Sequence, residues 1–354
     1  MPTDPIATGL ASLLDQASRL RRTVGLPAAA AEPYHAGRPR AARPTPDPLP
    51  PSNQPMLVSL VSNGIPRMDE QPDARVPWWS FTKTVLAAAS LSLVRDGLVG
   101  LDDVVPQGPF TLRQLLRHEA GLADYGELAE YHAAVAGNEA PWPAGEMLQR
   151  LDAARLRYTP GAGWRYSNVG YLYVAQLVER ITGLALEEAL LQRVLSPLGL
   201  SRVRLARTRA DLQGVCLGAV PTYDPGWVYH GLLVGPLAQA ALLLDRLMAG
   251  DLLPHPLLQA MQTTRALGGP IPGRPWPAPG YGLGLMQGPI EGGLVLGGHT
   301  GAGPGSVVAV YRGARGDDSA SCAVFLEGSD QGAAETAVVT RLSAMLGAEA
   351  TSAR

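Results

Sequence analysis

The sequence predicts an α+β protein: one antiparallel sheet assembled from both ends of the chain and flanked by helices, with an adjoining mostly helical domain. Two strand-rich ends and a long helix-rich middle carry this expectation. It divides the chain into residues 1–55, an N-terminal helix and Pro-rich linker; 56–105 with 215–354, the sheet-plus-helix domain; and 106–214, the helical domain.

Residues 7–24 place apolar side chains at helical spacing, and the Pro-, Ala- and Arg-rich stretch 27–55 reads as extended linker. MLVSLV, the turn Ser62-Asn63-Gly64 and IPRM read as a hairpin opening the folded body near Met56. Thr84 to Arg95 lacks Gly and Pro and stops at Asp96-Gly97, a helix with a left-handed cap. Further helices are expected at 112–118, 144–155, 169–181, 185–195, 237–249 and 256–264. YGLGLM (281–286), LVLGG (294–298), SVVAVY (306–311) and SCAVFL (321–326) follow as strands. Their short connections imply antiparallel pairing, and 332–346 closes the chain as a helix.

The 354 residues are 46% hydrophobic and carry a formal net charge of -2. Such a chain buries a sizeable core and offers no basic face to nucleic acid. No stretch reaches the length of a membrane span; the most apolar one, Leu232 to Leu244, is short and reads as a buried helix. The opening residues MPTDPIATGL place polar and charged side chains where a secretory signal needs an apolar core, and a cytoplasmic protein is expected. Cys216 and Cys322 lie far apart without ligand spacing, so neither a disulfide framework nor a metal site is expected.

The chemistry-bearing feature is Ser80-Phe81-Thr82-Lys83. It leads into the first long helix and sets Lys83 one turn beyond Ser80 on the same face. A serine hydroxyl is a poor nucleophile until a base removes its proton, and a lysine does so only when neutral. From a reference pKa of ~10.4, half-deprotonation at neutral pH needs a shift of roughly three units, ~4 kcal/mol. The positive end of the helix and an apolar wall at Trp78 or Trp79 both act in that direction. Composition sharpens the case: the chain has 28 Arg and a single Lys. Wherever a permanent surface cation suffices, this sequence uses Arg; only a lysine can be tuned to act as a base.

A second group, Tyr166-Ser167-Asn168, ends a Gly-rich loop before a helix. Tyr166 has the chemistry of a proton relay and Asn168 that of a substrate-orienting amide, although the same residues also fit a packed tyrosine and a helix cap. A third, His299-Thr300-Gly301-Ala302, lies at the end of an expected strand, where glycines admit a substrate close to the backbone. His299 alone fits a base, an anion binder or a satisfied histidine. His118 reads as structural.

In this order the three motifs resemble the class C β-lactamase and D-alanyl-D-alanine carboxypeptidase family of serine hydrolases. Framework stretches such as FTLRQLLRHEAGLADY (110–125), YSNVGYLYVAQLVERITG (166–183) and YGLGL (281–285) extend the resemblance over roughly residues 56–345. It implies a β-lactamase/transpeptidase-like fold and an acyl-enzyme on Ser80, with Lys83 and Tyr166 exchanging its proton. It further implies that Asn168 contacts the substrate amide, that His299, Thr300 and Gly301 line the opposite wall, and that the N–H groups of Ser80 and Ala302 form the oxyanion hole. Neither metal nor cofactor is implied; the expected partner is a small-molecule ester or amide. His299 stands where true class C β-lactamases usually carry Lys, and Tyr-Ser-Asn replaces their Tyr-Ala-Asn. Both departures point toward the esterase and peptidase branches. Acyl transfer to a small acceptor, β-lactam hydrolysis and a non-turnover acyl sensor remain alternatives.

Overall fold

The structure, a computed structural model, describes residues 56–69 and 71–348. The N-terminal helix and linker expected within 1–55 lie outside the described residues.

Strands β1 (Met56–Ser62) and β2 (Ile65–Asp69) form the expected hairpin, with Asn63 and Gly64 at positive φ in its turn. From the other end of the chain come β6 (Arg265–Ala266), β7 (Gly280–Tyr281), β8 (Met286–Pro289), β9 (Val295–Gly303), β10 (Ser306–Arg315) and β11 (Asp318–Glu327). They join in one eight-stranded antiparallel sheet of order β2-β1-β11-β10-β9-β8-β7-β6. The N-terminal hairpin and the C-terminal strands meet where β1 pairs with β11, Met56 opposite Leu326 and Ser62 opposite Ala320.

Alternation along β10 explains its unbroken apolar run. Val307, Ala309 and Tyr311 face the C-terminal helix α9 (Gln331–Ala348), and Val308 and Val310 face the large helical core. Side chains two apart share a face, so a strand buried on both faces has no polar positions to spare. The helical body holds α1 (Thr82–Arg95), α2 (Leu112–Leu116), α3 (Ala129–Ala136), α4 (Ala144–Arg150), α5 (Asn168–Thr182), α6 (Leu186–Leu190), α7 (Leu237–Ala249) and α8 (His255–Gln262). Helix α1 is buried from Thr82 to Leu93, with its Ser90 and Ser92 hydroxyls satisfied by the helix's own carbonyls.

The structure differs from the sequence reading in several elements. Leu232–Pro236 is strand β5, at the centre of a small sheet between β3 (Arg75–Pro77) and β4 (Arg204–Ala206), where the reading ran a buried helix from Leu232. Pro236 cannot donate the backbone hydrogen bond a continuing helix needs, so the helix begins only at Leu237. Strand β4 lies within the stretch read as helical. Helix α3 lies between Gly126 and Gly137, in a stretch where the sequence reading placed no helix. YGLGLM is two short strands around a turn, not one strand: Gly284 adopts φ +81° and a Cβ there would lie 2.3 Å from Ala87 Cβ. That turn therefore packs directly on α1, and the Thr84 hydroxyl donates to the Gly284 carbonyl at 2.7 Å.

Candidate active site

Ser80 occupies a short 3₁₀ turn, Trp79–Phe81, that runs into α1. The turn is seated against β9. A Cβ on Gly301 would lie 2.6 Å from the Ser80 nitrogen and 2.7 Å from Trp79 Cβ, so only glycine lets strand and turn come this close. Gly303 does the same for the Trp79 ring, with a Cβ-to-ring approach of 2.5 Å. Trp79 itself has φ +40° and is held by its indole N–H donating to Ser306 Oγ at 3.1 Å. The third motif thus lies within a strand, not at the end of one.

Lys83 is fully buried. Its Nζ lies 3.1 Å from Ser80 Oγ, 2.7 Å from Asn168 Oδ1 and 3.1 Å from His230 Nε2, with the Tyr166 ring centroid 5.1 Å away. Burial pulls its pKa from 10.5 down to about 7, against the attraction of the Asp124 carboxylate. The same burial raises the Asp124 pKa, partly offset by donors from Asn168, so both members of the pair are pushed toward their neutral forms.

The second motif is anchored by the loop that precedes it in space. His118, at φ +59°, accepts the Ser167 N–H on Nδ1 at 3.1 Å. Ser167 Oγ donates to the Ala123 carbonyl at 2.7 Å and caps α5 by accepting the Gly170 N–H. The cap considered for Asn168 therefore belongs to Ser167, and Asn168 begins the helix. Its backbone N–H and Nδ2 both donate to Asp124 Oδ1 at 3.0 Å, while Oδ1 faces Lys83. Both ends of the Asn168 amide are thus engaged within the protein. Tyr166 is half-buried, and its partial removal from water raises its pKa well above 10, with the Ser80 hydroxyl acting in the opposite sense. The phenol is neutral beside a lysine that titrates near neutrality.

His299 belongs to a chain of hydrogen bonds whose directions its two ends determine. Because His118 Nδ1 accepts from a backbone N–H, its Nε2 carries the proton shared with Tyr281 Oη at 3.2 Å. Tyr281 then donates to His299 Nε2 at 3.0 Å, and His299 Nδ1–H donates to the Thr300 carbonyl at 2.7 Å. Every polar atom is used by neutral rings. Burial lowers the His299 pKa to about 3, with Lys83 adding to the effect. The satisfied, neutral histidine is the reading that this geometry favours. Behind it, Thr300 Oγ1, Tyr311 Oη, Trp276 Nε1 and Arg274 converge on the buried Glu335 carboxylate.

Ser80, Asn168 and Ala302 lie on the boundary of two lobes of one cleft. One, of about 400 Å³, is lined by Trp79, Tyr125, Tyr131, Val135, Tyr223 and Val228, with His230 at its wall. The other, of about 370 Å³, is lined by Trp164, Tyr166, Arg274, Tyr281, His299 and Thr300. Trp227 and Trp276 are core residues rather than lining. Sequence reasoning missed His230, Asp124 and Glu335, none of which stands at a spacing that marks it. Among the described residues no group of three or more His, Cys, Asp or Glu is arranged to hold a metal ion, and no helix is long and apolar enough to cross a membrane.

A sheet closed from both chain ends, with a Ser-x-x-Lys turn wedged between it and a buried helix, is the β-lactamase/transpeptidase-like fold. A family model described as Beta-lactamase matches residues 61–340, and the chain belongs to the beta-lactamase family. It is 29% identical over 186 residues to the lovastatin esterase of Penicillium rubens, covering 44% of this chain and 46% of that one. It is 28% identical over 169 residues to the D-aminopeptidase of Brucella ovis, covering 46% and 31%. The chain thus spans less than half the length of these relatives. Among solved structures it resembles the D-stereospecific amidohydrolase from a Streptomyces species, with TM-score 0.67, 24% identity and coverage of 82% of this chain and 94% of that one.

Proposed function

We propose that the chain is a serine hydrolase that takes the acyl group of an ester or amide onto Ser80, and that the acyl group is apolar and uncharged. The observation that carries this reading is the buried Lys83 amine 3.1 Å from Ser80 Oγ, at the junction of two lobes.

Neutral Lys83 accepts the Ser80 proton as Oγ attacks the carbonyl carbon. The N–H groups of Ser80 and Ala302, brought together by the tight seat of Gly301, receive the developing oxyanion. Tyr166 then passes a proton to the leaving group and is refilled from Lys83. Its high pKa suits the acid role and leaves the base role to Lys83. Water attacking along the reverse path releases the acid.

Since Tyr166 lines the second lobe only, the leaving group belongs there and the acyl chain belongs in the lobe of Trp79, Tyr125, Tyr131 and Tyr223. Neither lobe is lined by a carboxylate among the described residues, so a free ammonium on the substrate finds no counter-ion. Neutral His299 likewise offers no charge to a substrate carboxylate, and Arg274, which lines the same lobe, is already paired with the buried Glu335. Both facts favour ester or N-blocked amide substrates over aminopeptidase substrates, and over the carboxylate-bearing substrates of a β-lactamase.

A panel of nitrophenyl esters graded from acetyl to phenylacetyl and branched acyl groups, run beside amino-acid amides with free amines, tests this. Turnover that favours the larger apolar acyl groups and disappears in Ser80→Ala is expected. Preference for the free-amine amides would overturn the substrate class, and turnover surviving in Ser80→Ala the reaction itself.

A further inference from the structure

His230 is carried into the site by the segment entering β5, and the proton path above does not use it. It is buried, with Nε2 3.1 Å from Lys83 Nζ. Its other ring nitrogen, Nδ1, has no hydrogen-bond partner among the described residues. Resting on the reading of Lys83 as base to Ser80, we infer that His230 is a positioning residue: it accepts an N–H of Lys83 and thereby aims the amine's lone pair at the Ser80 hydroxyl.

The argument is a count of donors and acceptors. A neutral amine has two N–H bonds and one lone pair. Three groups surround Nζ: Ser80 Oγ at 3.1 Å, Asn168 Oδ1 at 2.7 Å and His230 Nε2 at 3.1 Å. Asn168 cannot turn its NH₂ toward Lys83 without giving up both contacts of Nδ2 to Asp124, at 3.0 and 3.3 Å, so it only accepts. When His230 Nε2 also accepts, both N–H bonds are used and the lone pair is left facing the Ser80 proton. With the proton on Nε2 instead, His230 would donate into that lone pair and Ser80 would have no base.

The tautomer protonated on Nδ1 serves both halves of the step. The Ser80 O–H bond breaks and a third Nζ–H bond forms, while Nε2 keeps its lone pair and accepts from amine and ammonium alike. His230 itself takes no proton, in keeping with its burial beside Lys83. The other titratable groups around Nζ are Asp124, the Tyr166 and Tyr171 rings at 5.1 and 5.7 Å, and, acting through space, His118 and His299. Of these Asp124, by its charge, and the two ring faces favour the ammonium.

Because Lys83 is the chain's single lysine, a protein labelled with ¹⁵Nζ-lysine gives one signal, whose titration reads this amine directly. In His230→Leu the ammonium loses an acceptor, and Lys83 is expected to titrate about one unit lower than in the wild type. The acid limb of single-turnover acylation by a nitrophenyl ester is expected to move with it, and the plateau to fall about tenfold or more. His230→Gln, which restores an acceptor oxygen, is expected to recover most of both effects. An unmoved titration and plateau in His230→Leu, or a Gln variant no better than Leu, overturns the inference. Should the Leu variant not fold, ring ¹⁵N shifts of the wild-type protein decide: a proton on Nδ1 is expected, and one on Nε2 overturns it. Fluorophosphonate labelling of wild-type Ser80 runs alongside; its failure would strike the acyl-enzyme reading itself, whatever the His230 variants do.

Discussion

Asp124 and Lys83 act on each other across a single side-chain amide: Asn168 Nδ2 donates to the Asp124 carboxylate at 3.0 Å, and Asn168 Oδ1 faces Lys83 Nζ at 2.7 Å. The carboxylate orients the amide and the amide orients the base. Asp124 also raises the Lys83 pKa from a distance, opposing burial. In Asp124→Asn that attraction is lost while the volume is kept. The acid limb of kcat/KM should then move to lower pH. Because Asn168 is no longer held in one orientation, the plateau should fall about tenfold. pH–rate profiles of the two proteins check both; a limb that stays or moves up contradicts the arrangement.

Lys83 titrates at about 7 in the folded protein and works as a base only when neutral. Activity should therefore climb as pH rises through about 7. His299, held neutral down to about 3, adds no limb in that range, so His299→Gln should leave the limb in place. The sign for stability is the same. Unfolded, this lysine binds its proton up to about pH 10.5, so stability from this group should rise with pH between about 7 and 10.5. Chemical denaturation across that window measures the slope.

Lys83→Met replaces a buried amine by an apolar chain of similar length. Acylation should fall by about 10²- to 10⁴-fold with loss of the base. The thermal midpoint below pH 7 should stay level or rise, because no charge has to be desolvated. A variant that loses activity only by unfolding would show the reverse in a thermal scan.

Gly301→Ala puts a methyl 2.6 Å from the Ser80 nitrogen and 2.8 Å from the Trp78 carbonyl oxygen. Strand β9 or the Ser80 turn must shift, which moves one proposed oxyanion donor relative to the other. A loss of about 10²-fold in kcat, larger than any rise in KM, is expected from steady-state kinetics.

The parts of the site legible in the sequence are those that local geometry holds together. Ser80 and Lys83 are three residues apart at the start of a helix, so one turn of backbone brings them together whatever the rest of the chain does. The glycines around His299 announced a close approach, though not that the Ser80 turn was what approached. His230 and Asp124 gave no such signal. Each reaches Lys83 through tertiary packing, from the segment before β5 and from the loop before α3. A lone His ahead of an apolar run, or an Asp in a turn-like GLADYG, has many commoner uses. The large sheet was readable because β10 and β11 are continuous apolar runs between turns; the small one was not, because its strands are three to five residues long and β5 runs straight into an apolar helix.

The measurement that bears most directly on the central claim is intact-mass and peptide mapping after a short incubation with a nitrophenyl ester or a fluorophosphonate. The account requires one adduct, on Ser80, absent in Ser80→Ala and formed about 10²-fold or more slowly in Lys83→Met. An unmodified Ser80 in the wild-type protein, or an adduct that forms equally fast without Lys83, would contradict it.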